Sequence, residues 1–173
     1  MKNKFFMIIN IFLFLFALIL PLNSSSGYDK GVVEKIKISE SDLPEGFIFG
    51  KIPNFAKSTL LANPWNFDRN AINKLTKNIY PDAESSAVKD IHISIIAKES
   101  SPYNDDIVCF IILFKDDTSS KKEILKIEEF SRNNQDRVLT VSKDNLSVIL
   151  LVDEVNNFPY ITKMAKEIED KLN

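Results

Sequence analysis

The sequence predicts an α+β domain, an antiparallel sheet whose helices pack mainly on one face. The strongest observation is residues 106–115, where eight apolar residues, mostly β-branched or aromatic, follow one another between charges. This run is too short to span a membrane as a helix and is typical of a central strand that is covered on both faces. Two further patterns agree: a strand pattern at 137–142 and an apolar strand at 146–152, joined by a tight turn, predict a hairpin, and apolar residues at helical spacing predict a helix over 158–172.

The first 26 residues have the order of a signal peptide. A basic start is followed by an apolar run over residues 5–22 and then by small residues up to Ser26. We expect cleavage after Ser26, which leaves residues 27–173 as a single extracytoplasmic domain. The apolar run of about 18 residues is also near the lower limit for a membrane span, so an uncleaved N-terminal anchor is the alternative. Both alternatives predict an exported domain that is periplasmic, secreted or membrane-anchored outside the cytoplasm.

The charge balance excludes one class of partner. The chain has 24 acidic and 22 basic residues, a net charge of −2, and the two signs are mixed along it. A nucleic-acid binder would show a basic patch, so we expect no nucleic-acid partner and membrane contact only through an uncleaved N-terminal segment. The only cysteine, Cys109, cannot form an internal disulfide. Its place in the central strand predicts a small buried hydrophobic residue rather than a reactive thiol.

The elements before the central strand follow from shorter patterns. Partial alternation predicts a first strand over residues 32–38. A Pro-Glu-Gly turn then precedes a second short strand, made of residues 47–49 with Ile52. Asp68 can cap an amphipathic helix over 68–80, in which apolar residues recur on one face until a proline ends it. Strict alternation then predicts a strand over 88–97, which leads by a polar loop to the central strand.

The second half of the chain repeats an order of elements. Ser120 and Glu123 have the spacing of a capping box and begin a helix over residues 119–132. Residues 88–132 therefore give strand, strand and helix, and residues 137–172 give the same order again. We expect a sheet built on this repeated ββα plan, with the first strands extending it or covering its edge.

The single histidine, His92, is the first residue to consider for catalysis. In the predicted strand it lies on the face opposite Ile91 and Ile93, so we expect a surface or partly covered side chain. No nucleophile lies at a recognisable spacing, and one histidine with one cysteine leaves too few ligands for zinc. Acidic pairs at strand ends, such as Asp105-Asp106, are expected to be solvated. We expect no catalytic, cofactor-binding or metal site; an enzyme would need a pocket of converging titratable groups, first sought near His92.

The aromatic residues of an irregular stretch are the candidate binding patch. The patch consists of Trp65, Phe67, Tyr80 and Phe55. Irregular segments on a rigid scaffold often carry binding, so these rings can form one wall of a ligand cleft or a contact for a protein partner. The alternative is ordinary packing of the segment over the sheet.

These observations lead to an expected function by exclusion. We expect a non-catalytic exported domain, secreted or associated with the cell envelope, that binds an unknown ligand or an envelope protein. A structural or accessory envelope protein is the second hypothesis, and an enzyme of unrecognised type is the third. The sequence predicts no cofactor.

Overall fold

The computed structural model describes residues 28–51 and 69–173. Within these ranges the helices are α1 (Lys30–Ile36), α2 (Arg69–Ile79), α3 (Asp117–Asn133) and α4 (Phe158–Leu172). The strands are β1 (Phe47–Phe49), β2 (Val88–Lys98), β3 (Ile107–Phe114), β4 (Val138–Lys143) and β5 (Leu146–Val152). The predicted leader and the predicted cap Asp68 lie outside the described residues.

The strands form one antiparallel sheet in the order β1-β2-β3-β5-β4. The predicted α+β class is confirmed, and so is the central position of the apolar strand, here β3. In its register Ile111 lies between His92 of β2 and Val148 of β5. The predicted hairpin is β4–β5, whose two-residue turn places Asp144 at a φ of 52°. Aspartate tolerates this left-handed conformation better than most side chains, which suits a tight hairpin turn.

The helices cover both faces of the sheet, so the prediction that they pack mainly on one face is wrong. Alternate residues of β3 point to opposite faces, and each set joins a separate buried cluster. Cys109 and Ile111 belong to the cluster under α1 and α4, whereas Phe110 and Ile112 belong to the cluster under α2 and α3. An apolar strand in the middle of a sheet needs cover on both sides, and the two helix pairs provide it.

The repeated ββα plan is not confirmed. The two candidate units are β2, β3 and α3, and then β4, β5 and α4. Because β3 and β5 are antiparallel neighbours, a two-fold axis that exchanged them would run perpendicular to the sheet and leave both helices on the same face. Instead α3 and α4 lie on opposite faces, so the order of elements recurs in the chain without producing a structural repeat.

The predicted first strand over residues 32–38 is also wrong, because most of this stretch forms α1. Asp29 caps the helix by accepting a hydrogen bond from Gly31 N at 2.8 Å. The helix buries Ile36 in the apolar cluster on the face of the sheet that α4 also covers. Just before it, the backbone of Tyr28 is held at the hairpin turn: its N–H donates to Asn145 Oδ1, and Asn145 Nδ2 donates to its carbonyl at 3.1 Å. Tertiary contacts therefore override the β-branched residues of the segment.

Candidate functional site

A pocket of about 290 Å³ lies between α1 and the sheet. Apolar side chains of both layers line it, namely Val33 from α1 with Ile111 and Leu113 from β3. Four polar residues also line it: Lys30 and Glu34 from α1, and Asp90 and His92 from β2. The pocket thus combines an aliphatic interior with a few polar groups, which is the usual composition of a small-molecule site.

Two periodicities bring these residues together. In α1, positions 30, 33 and 34 are three and four residues apart and share one helix face. In β2, Asp90 and His92 alternate with the apolar residues, and they pair with Leu113 and Ile111 of β3. A register shift between Val88 and Asp90 precedes this part of the strand. The polar stripe of β2 therefore points to the face of the sheet that α1 covers.

An ion pair joins the two sides of the pocket. Lys30 Nζ lies 2.8 Å from Asp90 Oδ2, and the side chain of Lys30 is 60% exposed whereas that of Asp90 is 14% exposed. The second carboxylate oxygen of Asp90 accepts a hydrogen bond from Ile91 N at 3.0 Å. The carboxylate is consequently fixed in the wall of the pocket, and the ammonium reaches it from solvent.

A second ion pair lies at the C-terminal end of α1, between Glu34 and Lys37, the residue that follows the helix. Glu34 accepts a hydrogen bond from Lys37, one turn further along the chain. This bond is the main cause that lowers the pKa of the Glu34 carboxyl from its ordinary value. Glu34 therefore carries a negative charge at the pocket at neutral pH.

His92 is 3% exposed, so the expectation of a surface or partly covered side chain is wrong. The reason is that α1 covers this face of β2, whereas the alternation of polar and apolar residues in β2 predicts that the face is exposed. Its Nε2 lies 3.2 Å from Ser94 Oγ, two residues along the same face. Burial lowers the pKa of the imidazole to about 4, with Lys37 acting in the same direction and Glu34 opposing it. The ring is therefore neutral at pH 7.

The predicted aromatic patch falls mostly outside the described residues. Trp65, Phe67 and Phe55 lie there, so their role stays a prediction. Tyr80 is described, and it is buried on the face of α2 and α3. Its hydroxyl donates to Glu123 Oε2 at 2.7 Å, which agrees with core packing for this one ring.

Glu123 has a different role from the predicted one. The capping box is wrong, because Asp116 caps α3 by accepting a hydrogen bond from Ser119 N at 2.8 Å. Glu123 is buried instead and accepts from Tyr80, from Glu84 N at 3.0 Å and from Lys126 Nζ at 2.7 Å. Three donors around one carboxylate connect α2, the following loop and α3.

The expectation that the acidic pairs at the strand ends are solvated is wrong for Asp106, whereas its neighbour Asp105 is exposed. Asp106 is buried and accepts a hydrogen bond from Lys98 N at 2.9 Å, with Lys98 Nζ 3.7 Å away. Over residues 28–51 and 69–173, no group of three or more His, Cys, Asp or Glu side chains is placed to hold a metal ion. In the same part of the chain, no helix combines the length and the apolar character needed to cross a membrane.

Sequence reasoning identified His92 as the place to look for a pocket but missed three of its polar neighbours. Glu34 falls in the predicted strand over 32–38 and Asp90 in the predicted strand over 88–97, and the sequence predicts no element at Lys30. The helical spacing of Lys30, Val33 and Glu34 after the capping residue Asp29 was the available signal. Comparisons with protein-family models, with curated proteins and with solved structures found no match. The pocket is therefore the feature of the described residues that bears on function.

Proposed function

We propose that the protein is a non-catalytic exported domain that binds a small ligand in the pocket between α1 and the sheet. The observation that carries the proposal is the pocket itself, a concavity of about 290 Å³ with aliphatic walls and a few polar groups. Pockets of this size are near the lower end of the range for small-molecule sites, roughly 300–1,000 Å³. The ligand is accordingly small.

The chemistry of the polar groups favours binding over catalysis. A general base works best when its pKa lies near the operating pH, and the pKa of His92 is lowered to about 4. Asp90 and Glu34 are each paired with a lysine. Cys109, the only cysteine, is fully buried, and burial raises its pKa to about 12, so it is no nucleophile at neutral pH.

Export remains part of the proposal, and the order of basic, apolar and small residues at the N-terminus supports it. Tyr28, two residues after the expected cleavage position, is bonded to the hairpin turn through its backbone and Asn145. Intact mass of the protein from the envelope and the culture fluid of its host tests this part. A form that starts near Gly27 supports secretion, a full-length membrane form supports the anchor, and a full-length cytoplasmic form contradicts export.

Two other functions have one observation each. Burial of Tyr80 agrees with a structural or accessory envelope protein, in which the aromatic residues pack in the core. Convergence of Glu34, Asp90 and His92 at one pocket is the feature that an unrecognised enzyme requires. An enzyme would lose turnover in His92→Gln while retaining ligand affinity, whereas a binding domain converts no ligand at all.

The test of binding is to fill the pocket. In Val33→Trp, a bulky ring occupies the space between α1 and β3, and we expect any ligand retained in native mass spectrometry to bind at least about tenfold more weakly. Leu125→Trp is the matched control, because Leu125 is 63% exposed on α3. It should leave both affinity and melting temperature unchanged. Equal affinity in the two variants would contradict the assignment of the pocket.

A further inference from the structure

The ion pair at the pocket has one fixed partner and one movable partner. Asp90 is held in the wall by its bond to Ile91 N and is 14% exposed, whereas Lys30 is 60% exposed and reaches Asp90 from α1. An ion pair with one mostly exposed partner contributes little to stability, because water and salt screen it. Lys30 can therefore leave the carboxylate for solvent at small cost, but Asp90 cannot follow.

The charges that line the pocket are unequal once Lys30 has moved away. Glu34 and Asp90 are the two carboxylates of the lining, and His92 is a neutral imidazole. Lys37 is not among the lining residues, but it pairs with Glu34 and lowers the pKa of His92, so it offsets part of the negative charge at Glu34. A ligand that replaces Lys30 consequently meets Asp90 without its cation, Glu34 paired with Lys37, and the neutral imidazole of His92.

We infer that the pocket takes a small ligand with an aliphatic body and a protonated amine, which replaces the ammonium of Lys30 on Asp90. This inference rests on the proposed binding function. The amine exchanges one cation for another, so the partly buried carboxylate keeps a partner throughout. The aliphatic body then covers Val33, Ile111 and Leu113.

A ligand carboxylate meets the opposite situation. To pair with Lys30 inside the pocket it must draw that ammonium from Asp90, which leaves a partly buried carboxylate without its cation. It must also approach Glu34 and Asp90, both of like charge, at close range. A neutral alcohol avoids the repulsion but leaves Lys30 where it is and gains no ion pair.

The test uses three probes that share one body: cyclohexylmethylamine, cyclohexylmethanol and cyclohexanecarboxylate. Dissociation constants are measured by titration with NMR detection on the wild-type protein and two variants. We expect the amine to bind the wild type tightest of the three. Asp90→Asn should weaken the amine by about tenfold or more, while its effect on the alcohol stays within about threefold.

Lys30→Met distinguishes the two kinds of ligand, because it should change the affinities of the amine and the carboxylate in opposite directions. Methionine keeps an unbranched apolar stem that reaches as far as Cε of lysine, but it lacks the competing ammonium. Amine affinity should therefore rise by about tenfold, whereas a carboxylate that used Lys30 as its partner would lose affinity by a similar factor. Melting temperature checks that both variants fold. If Lys30→Met does not fold, Glu34→Gln, a substitution at a mostly exposed position of α1, takes its place and should weaken binding of the amine by about threefold.

Each outcome separates the inference from the proposed function. Tightest binding by the carboxylate or the alcohol overturns the amine inference and leaves the pocket as a ligand site. Failure of all three probes also overturns it, and the proposed function is then decided by the comparison of Val33→Trp with Leu125→Trp. A rise of amine affinity in Lys30→Met together with its loss in Asp90→Asn supports the inference.

Discussion

His92 predicts a specific dependence of stability on pH. The imidazole has an ordinary pKa of 6.5 in the unfolded chain and about 4 in the folded protein. The unfolded state therefore binds more protons than the folded state between these two values. It follows that the free energy of unfolding decreases as pH falls through this window and that His92 contributes no pH dependence above it.

The magnitude follows from the two pKa values. Between about pH 7.5 and about pH 5 the unfolded imidazole gains its proton while the folded one stays neutral, which lowers the free energy of unfolding by about 2 kcal/mol. Chemical denaturation at the two pH values measures it. His92→Gln removes the titrating group, so the variant should lose about 2 kcal/mol less than the wild type over the same interval. Both proteins contain the same carboxylates, so the contribution of these groups to the pH dependence cancels in the comparison.

The result that would refute the reasoning is an equal loss in the two proteins. It would mean that the imidazole is hydrated or paired in the folded state and titrates as it does in the unfolded chain. Lys37 and Glu34 are the charged groups that act on His92, in opposite directions, with Lys30 and Asp90 paired nearby. Because the effects of Lys37 and Glu34 on the pKa of His92 oppose each other, the measurement tests whether burial lowers this pKa.

Two further predictions concern the hydrogen bonds that position the helices. Tyr80→Phe removes the hydroxyl that donates to the buried carboxylate of Glu123 and should lower the free energy of unfolding, measured by urea titration, by roughly 1.5–3 kcal/mol. Tyr103→Phe, at a 66% exposed position, is the control and should change this free energy by less than about 0.5 kcal/mol. Asn145→Ala removes the bonds to Tyr28 and the one to the buried Phe114 carbonyl and should cost about 2–3 kcal/mol by thermal or urea unfolding; a cost below about 0.5 kcal/mol would show that α1 is held without them.

The regular part of the fold was predictable because its apolar patterns allow one structure only. Residues 107–114 are apolar on both faces of a strand, and the apolar positions of α4 recur at helical spacing. The distribution of the helices over two faces was not predictable in the same way. A pattern shows that a helix has a buried side, but the connection between α3 and β4 and that between β5 and α4 decide which face each one reaches.

The candidate site was harder to predict for a related reason. Asp90, His92 and Ser94 alternate with apolar residues, and alternation alone says that two faces differ, not that the polar one is exposed. The helix that covers this stripe, α1, contains Val32-Val33, a β-branched pair that favours strand by local preference. The site therefore depends on contacts between segments about sixty residues apart, which local patterns do not contain.

The dependence of α1 on those contacts connects the fold to the proposed function. A seven-residue helix is too short to be stable alone in water, so α1 is helical because it docks on the sheet. Its attachments include the bonds between Tyr28 and Asn145, the buried Ile36 and the pair of Lys30 with Asp90. A ligand that bridges α1 and β2 binds only the docked form and must therefore stabilise it. An amine that displaces Lys30 removes the weakest of these attachments, the pair with Asp90, and adds contacts of the ligand to Asp90 and Val33. The docked form of α1 therefore gains more stabilisation from the ligand than it loses with the ion pair.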